Sequence, residues 1–253
     1  MFKLNLKIAW RNLLKYKIYT ALNIIGLALG LVGFIFIVLF INHEKSYDTW
    51  SPELKNVYQL QEYSDYYSSD DNPHWRSEID LRLSKVAEKV PLVEAVTHIN
   101  IAYREVGVKI SDKPAFLQKG FRRADSLFFK VFTFEFKYGN PEEALRVPNS
   151  IVLKENLALK YFGNVNPIGK KINIAGGYWN NEEDLYTVTG VVRETITPTT
   201  IDFEGIKYDG SSFFNEEFGS PAEIYAKISP VADIEQLNRT LLKSYLPIKD
   251  QYL

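Results

Sequence analysis

Residues 18–41 read IYTALNIIGLALGLVGFIFIVLFI, 24 positions without a charged side chain. At about 1.5 Å of rise per residue, a helix of that length reaches roughly 36 Å. That crosses a hydrocarbon core roughly 30 Å thick with some tilt to spare. Ahead of it, Lys3, Lys7, Arg11 and Lys15 recur every fourth residue, and Phe2, Leu6, Ala9, Trp10, Leu13 and Leu14 fall opposite. This stripe fits a helix lying in the membrane interface with snorkelling lysine stems, and equally a plain basic flank. After residue 42 the pattern turns mixed. Strands are predicted over 56–62, 93–103, 106–110, 115–122, 150–153, 186–192 and 224–228. Helices are predicted over 75–90, with Ile79, Leu83, Val86 and Val90 on one face, and over 155–162, ended by Gly163. A last amphipathic helix carries Ile234, Leu237, Leu241, Leu242 and Tyr245. Residues 125–131 read as a turn of helix feeding the alternating TFEF strand at 133–136. Asn140, Pro141, Glu142 and Glu143 read as a further helix start. Strands and helices interleave, so the class is α+β: one N-terminal transmembrane helix, then a two-lobed mixed domain.

Charge assigns the sides. Lys3, Lys7, Arg11, Lys15 and Lys17 precede the apolar run with no acid among them, whereas Glu44 and Asp48 come after it beside Lys45. The excess of bases marks the cytoplasmic flank. A cleaved signal peptide has a shorter apolar region and a small-residue cleavage site, and the INHEKSYD after the run offers no A-x-A. The expected organisation is a cytoplasmic amphipathic arm over 1–17, a span over 18–41 and an extracytoplasmic domain over 42–253. Gly26 and Gly30 form a GxxxG, with Gly33 beyond, a weak signal for a partner helix in lipid. The net charge is -1 and the basic residues of the arm leave the remainder mildly acidic, which argues against nucleic acid. With no cysteine, disulfides and thiol chemistry are excluded.

Candidate chemistry is sparse. Gly163-Asn-Val-Asn-Pro-Ile-Gly169-Lys170-Lys171 imitates a phosphate loop, but five residues separate the glycines where four are needed. Lys171 stands where a magnesium-binding hydroxyl should, and a helix rather than a strand precedes the run. A helix cap at Gly163 and a turn through Pro167 and Gly169 account for it. His43, His74 and His98 are scattered, with no HExxH or close acidic partner pattern. Asp70-Asp71 and Glu182-Glu183-Asp184 lack the spacing of a calcium loop. No nucleophile-elbow motif occurs. Phe128, Phe129, Phe132, Phe134 and Phe136 read as core rather than as a ligand groove. No catalytic, cofactor-binding or metal-ligating residue is assigned, and no cofactor.

The segment DSLFFKVFTFEFKYGNPEEALRVPNSIVLKENLALKYFGNVNPIGKKINI, followed by DLYTVTGVV, resembles the MacB-like periplasmic core domain of ABC-transporter permeases of the MacB and FtsX type. The opening NLKIAWRNLLKYKIYTALNIIGLALGL is similar to the first helix of the same permeases, and SYDTWSPELKNVYQLQEY is similar to their segment just after that helix. The resemblance implies a non-catalytic permease subunit of the inner membrane with a periplasmic domain. It implies a separate cytoplasmic ABC ATPase, a second permease copy and a periplasmic partner, with function in export or mechanotransmission. Such permeases carry three more transmembrane helices, so the chain is expected to be the N-terminal half of one. The alternative is a membrane-anchored binding or adaptor module working without an ATPase. Two departures stand out. Lys154 occupies the position before a helix where relatives often place Thr or Ser, and TPTTIDFEG from Thr197 matches the family's Pro-containing turn loosely, without its Ser-His pair.

Overall fold

The computed structural model describes residues 2–63, 74–100, 105–110, 114–175, 183–208, 210 and 221–249. The soft stretch 64–73 with Asp70 and Asp71, and also Glu182, lie outside these. The chain divides into two units, Met1–Tyr47 and Asp48–Leu253.

In the first unit, helix α1 (Phe2–Lys15) is followed by helix α2 (Lys17–Lys45). Tyr16, at φ -107° and ψ 60°, breaks the helical geometry between them. Thr20 Oγ1 donates to the Leu13 carbonyl across the break at 2.9 Å. The periodic basic arm is therefore a helix in its own right. None of α2 is buried, and a side chain at Gly26, Gly30 or Gly33 would meet no atom within 4 Å. Among the described residues, α2 is the one helix long and apolar enough to cross a membrane.

In the second unit a 3-10 turn (Pro52–Asn56) leads into β1 (Val57–Gln59). The strands β2 (Glu62–Tyr63) and β3 (Trp75–Arg76) pair with each other, and β4 (Glu78–Asp80) precedes α3 (Arg82–Ala87). After these come β5 (Val93–Ile99), β6 (Val106–Lys109), β7 (Phe116–Gln118), β8 (Phe121–Ala124), α4 (Phe128–Val131) and β9 (Phe136–Gly139). Next are β10 (Ser150–Lys154), α5 (Glu155–Phe162), β11 (Lys171–Ala175) and β12 (Glu183–Val192). The last elements are β13 (Gly205–Tyr208), β14 (Pro221–Ile228) and α6 (Ile234–Lys249). Twelve strands make one sheet in the order β1-β14-β5-β8-β13-β10-β12-β11-β6-β7, with β4 beside β14 and β9 beside β12.

The sheet is mixed because β10 lies parallel to β12 on one side and antiparallel to β13 on the other. All five residues of β10 are buried, as an uninterrupted apolar run in a sheet interior requires. Its two faces feed different cores. Ile151 and Leu153 join Leu157, Ala158 and Tyr161 of α5. Val152 joins Phe128, Phe129, Phe132, Phe134 and Phe203, with Phe136 packed alongside. A third cluster sets α3 and α6 on β14 and β5, through Leu83, Val86, Val96, Ile224, Leu237 and Tyr245. The elements β1, β4, α3, β5, β14 and α6 thus build one lobe, while β6, β7 and β10 to β12 with α5 build the other.

Five expectations change. Residues 56–62 are not one strand: β1 ends at Gln59, and Glu62 opens β2 in a separate two-stranded sheet. Residues 75–90 are not one helix. Ile79 pairs with Ala222 at the sheet edge, and the helix spans Arg82–Ala87 alone, although Ile79, Leu83, Val86 and Val90 do share one core. Asn140 caps a turn through its side chain, which accepts from Glu142 N at 3.0 Å, but Pro148 follows too soon for a helix to grow. Residues 115–122 split at Gly120, where φ is +83°. The strand expected at 133–136 begins only at Phe136.

Gly139 ends β9 at φ +90°, and a Cβ there would collide with the Thr189 carbonyl oxygen of the paired strand. A side chain at such a φ costs about 1–2 kcal/mol before any clash. Gly139→Ala is therefore expected to lower the denaturation midpoint of the chain by more than that cost alone. An unchanged midpoint in urea would refute this account of the β9–β12 contact.

Candidate functional site

The second unit begins with a residue in an uncommon conformation. Asp48 has φ +54°, which an Asp tolerates better than most side chains. The turn aims its carboxylate at the loop between β12 and β13. Oδ1 accepts from Thr199 Oγ1 at 2.7 Å and from Thr200 N at 3.0 Å, and Oδ2 accepts from Thr200 Oγ1 at 2.6 Å. Asp48 N donates to the Pro198 carbonyl at 2.9 Å. Thr199 Oγ1 in turn accepts from Ile201 N at 3.1 Å. One carboxylate thus organises the TPTT turn over a sequence separation of about 150 residues. Next along the chain, Trp50 stacks on Phe134 with ring centres 4.4 Å apart, and Ser51 bonds Thr133 at 2.8 Å.

The same loop is fixed at its other end. Lys154, buried at the end of β10, places Nζ 3.0 Å from Asp202 and 3.8 Å from Glu194, over the Phe203 ring. Lys154 is the N-cap residue of α5 and makes no side-chain cap bond. Glu194 supplies a cap from the loop, accepting from Asn156 N at 3.4 Å. The departure at Lys154 therefore exchanges a local cap for an ion pair that ties α5 to the loop. Ile201 and Phe203, between the two attachments, are buried in the phenylalanine core. The Glu204 carboxyl is pushed above its usual range, chiefly by burial. The nearby Lys154 counteracts this, while Glu194 and Asp202 add to it.

Other titratable groups are also built into supports. His98 Nδ1 lies 2.9 Å from Asp125, a partner invisible in sequence spacing. Asp125 also accepts from Thr97 Oγ1, His98 N and Leu127 N. Arg122, buried, pairs with Glu223 and donates to the Asn100 carbonyl at 3.0 Å. Gln59 Nε2 donates to Tyr225 OH at 3.1 Å. Burial, then Glu223, raises the Tyr225 phenol. His43 sits in the last turn of α2. His74 is exposed. Glu183 and Asp184 open β12. Among the described residues, no three His, Asp or Glu side chains group to hold a metal ion. Gly163 ends α5 at φ +71°, and Gly169, at φ +81°, turns the chain into β11. The five phenylalanines are core. Sequence reading missed an apolar groove of about 500 Å³ between α6 and residues 58–63, floored by Leu237, Leu241 and Tyr245. Burial raises the Tyr245 phenol to about 12.

A membrane-anchored chain with a mixed, two-lobed outer domain is the class these features define. The family model of the MacB-like periplasmic core domain matches residues 20–243, and the chain belongs to that family. Its fold is shared with three solved domains. A domain of a protein assigned as a permease in Porphyromonas gingivalis aligns at TM-score 0.61 and 19% identity, over 78% of this chain and 85% of that one. The periplasmic region of MacB from Actinobacillus actinomycetemcomitans aligns at 0.53 and 16%, over 76% and 84%. The extracellular domain of the noncanonic ABC-type transporter YknZ from Gram-positive bacteria aligns at 0.51 and 14%, over 78% and 95%. At these identities the likeness is one of fold. No curated protein sequence matches the chain.

Two outcomes are expected from this geometry. Asp48→Ala removes three hydrogen bonds to a carboxylate, and a bond to a charged group is worth about 1.5–3 kcal/mol when shielded. Because Thr200 is exposed, the net loss should be about 1–2 kcal/mol, read by denaturant titration. Asp48→Asn should recover part of it. A variant as stable as the wild type would remove Asp48 from its anchoring role. The second outcome concerns Glu204. A carboxyl with a raised folded pKa binds more protons folded than unfolded, so its contribution to stability falls as pH rises from 4.5 through the folded value. Glu204→Gln should therefore stabilise the chain at pH 7 and flatten its stability profile above pH 4.5. Destabilisation at pH 7 with an unchanged profile would contradict it.

Proposed function

We propose that this chain is the permease subunit of a MacB-like ABC transporter, working without chemistry of its own. The observation that carries this reading is the extent of the family match, which runs from within the apolar helix through nearly all of the outer domain. Residues 1–17 form the cytoplasmic arm, 18–41 cross the inner membrane and 42–253 are periplasmic, in keeping with the basic residues before the span and the acids after it. A separate cytoplasmic ATPase supplies the energy. A second permease copy and a periplasmic partner complete the assembly, for export or for transmitting motion outward.

Asp48 has a defined part in this scheme. Ser46 and Tyr47 are all that separate α2 from the anchored residue. A displacement of the helix end therefore reaches the 193–204 loop, and through Lys154 the α5 lobe, along a short path with few free torsions. The periplasmic domain would respond as a body held at that loop.

A phosphatase active only outside the cytoplasm, fused after Leu253, should be active, and a cytoplasm-dependent reporter at the same site should not. The reverse pattern would overturn the topology. In complex with its ATPase partner, ATP turnover should depend on that partner's nucleotide site. Asp48→Ala should leave turnover within about twofold while transport falls by about tenfold, a coupling energy of about 1.4 kcal/mol. Co-purification with no ATPase would favour the adaptor reading instead.

A further inference from the structure

We propose that the cleft beside residues 163–171 binds an anion carried on an apolar body, a phosphate- or carboxylate-bearing amphiphile. The run that imitates a phosphate loop in sequence proves to be a rigid turn that presents two lysines. Gly169 N donates to the Val188 carbonyl at 2.8 Å, Val188 N donates to the Lys170 carbonyl at 2.9 Å, and Lys170 N donates to the Pro167 carbonyl at 2.9 Å. The turn is thereby fastened to β12. Lys170 Nζ lies 5.1 Å from the centre of the Phe162 ring, which holds it at the end of α5. Lys171 opens β11. Two residues on, Asn173 pairs in register with Lys109 of β6, so Lys171 and Lys109 share one face as diagonal neighbours, roughly 7–8 Å apart in such a register.

These three lysines line one cleft of about 690 Å³ together with Ile110, Tyr161 and Phe162, a size within the roughly 300–1,000 Å³ of small-molecule sites. None of the three pairs with a carboxylate among the described residues. Other lysines nearby do: Lys137 with Glu155 at 2.6 Å, Lys154 with Asp202 at 3.0 Å and Lys119 with Glu105 at 3.3 Å. Three like charges lining one cleft cost electrostatic work that an anion offsets, and the low-dielectric wall focuses their field into the cleft. Ile110 and Tyr161 are buried and Phe162 half-buried, so part of the cleft's lining is apolar and aromatic. Charge and hydrocarbon in one lining select a ligand with both characters. The phosphate loop's chemistry is not involved, since neither its spacing nor its hydroxyl is present.

The test uses the full chain in nanodiscs of zwitterionic lipid, with empty discs as the blank, and isothermal titration of 1-naphthyl phosphate, inorganic phosphate and 1-naphthol. Naphthyl phosphate should bind most tightly, with an affinity that weakens as salt is raised. The Lys170→Ala, Lys171→Ala double variant should weaken it by about tenfold or more, as losing charge-assisted bonds implies, while Lys→Arg at both positions should retain it. Dihexanoyl phosphatidic acid distinguishes the sources of the anion: competition indicates a lipid headgroup, and failure to compete indicates a soluble anion. Either result upholds the cleft. Equal binding of 1-naphthol, unchanged affinity in the double variant together with Lys109→Ala, or no binding of naphthyl phosphate would each overturn the proposal. Inorganic phosphate binding as tightly as the naphthyl ester would overturn the requirement for an apolar body.

Discussion

The outer domain depends on a strand that must be covered on both faces. Ser150–Lys154 lies between a parallel and an antiparallel neighbour, with every residue buried. Ile151 and Leu153 need an apolar layer on one side, and α5 provides it directly, since the helix begins at the next residue. Val152 needs a layer on the other side, and the phenylalanine cluster provides that. Neither layer is stable alone: an eight-residue helix is too short to persist in water, and the four-residue α4 that carries Phe128 and Phe129 is shorter still. Each persists because the strand between them has two faces to fill.

The end of that strand sets a second requirement. Lys154 is buried where the chain passes from strand to helix, and a buried ammonium without a partner costs far more than its ion pair returns. Asp202 and Glu194 meet this need, and both belong to the 193–204 loop. The loop is thus drawn onto the β10–α5 junction, which places Ile201 and Phe203 in the core and the TPTT turn within reach of Asp48. Packing of one strand leads, through one lysine and one loop, to Asp48 at the start of the second unit.

The parts legible in sequence are those whose causes lie within a few residues. The uncharged run, the regularly spaced bases of α1, the β10–α5 pair and its Gly163 stop all carry their own period or cap. Where the cause is distant, local pattern misleads. Residues 75–90 have a helical apolar period, yet Ile79 belongs to an edge strand because β14, about 140 residues later, offers it a partner. The lobe that joins β1, β4, α3 and β5 to β14 and α6 is discontinuous, so no stretch of sequence contains it. Asp48 shows the same limit: SYDTW and TPTT are ordinary turn-forming segments, and nothing in either announces that one carboxylate joins them. Lys154 is misleading in the opposite sense, since a missing helix cap in sequence is an ion pair in space.

The disposition of charge separates two kinds of polar group in the outer domain. Asp48, Asp125, Asp202 and Glu223 each accept from donors far away in sequence, and each fastens a turn, a strand end or a loop. Asp48 and Asp125 have backbone as well as side-chain donors, while Asp202 takes a lysine and Glu223 an arginine. A carboxylate held this way resists displacement in every direction its donors define. Lys109, Lys170 and Lys171 are the contrast. They are fixed by backbone turns and a ring contact rather than by opposite charge, so their field is not cancelled from within. An uncancelled field over a cleft with an apolar lining is where recognition of something outside the chain can be concentrated. The pins and the cleft then divide the work, the first keeping the lobes in fixed relation and the second giving one lobe something to hold.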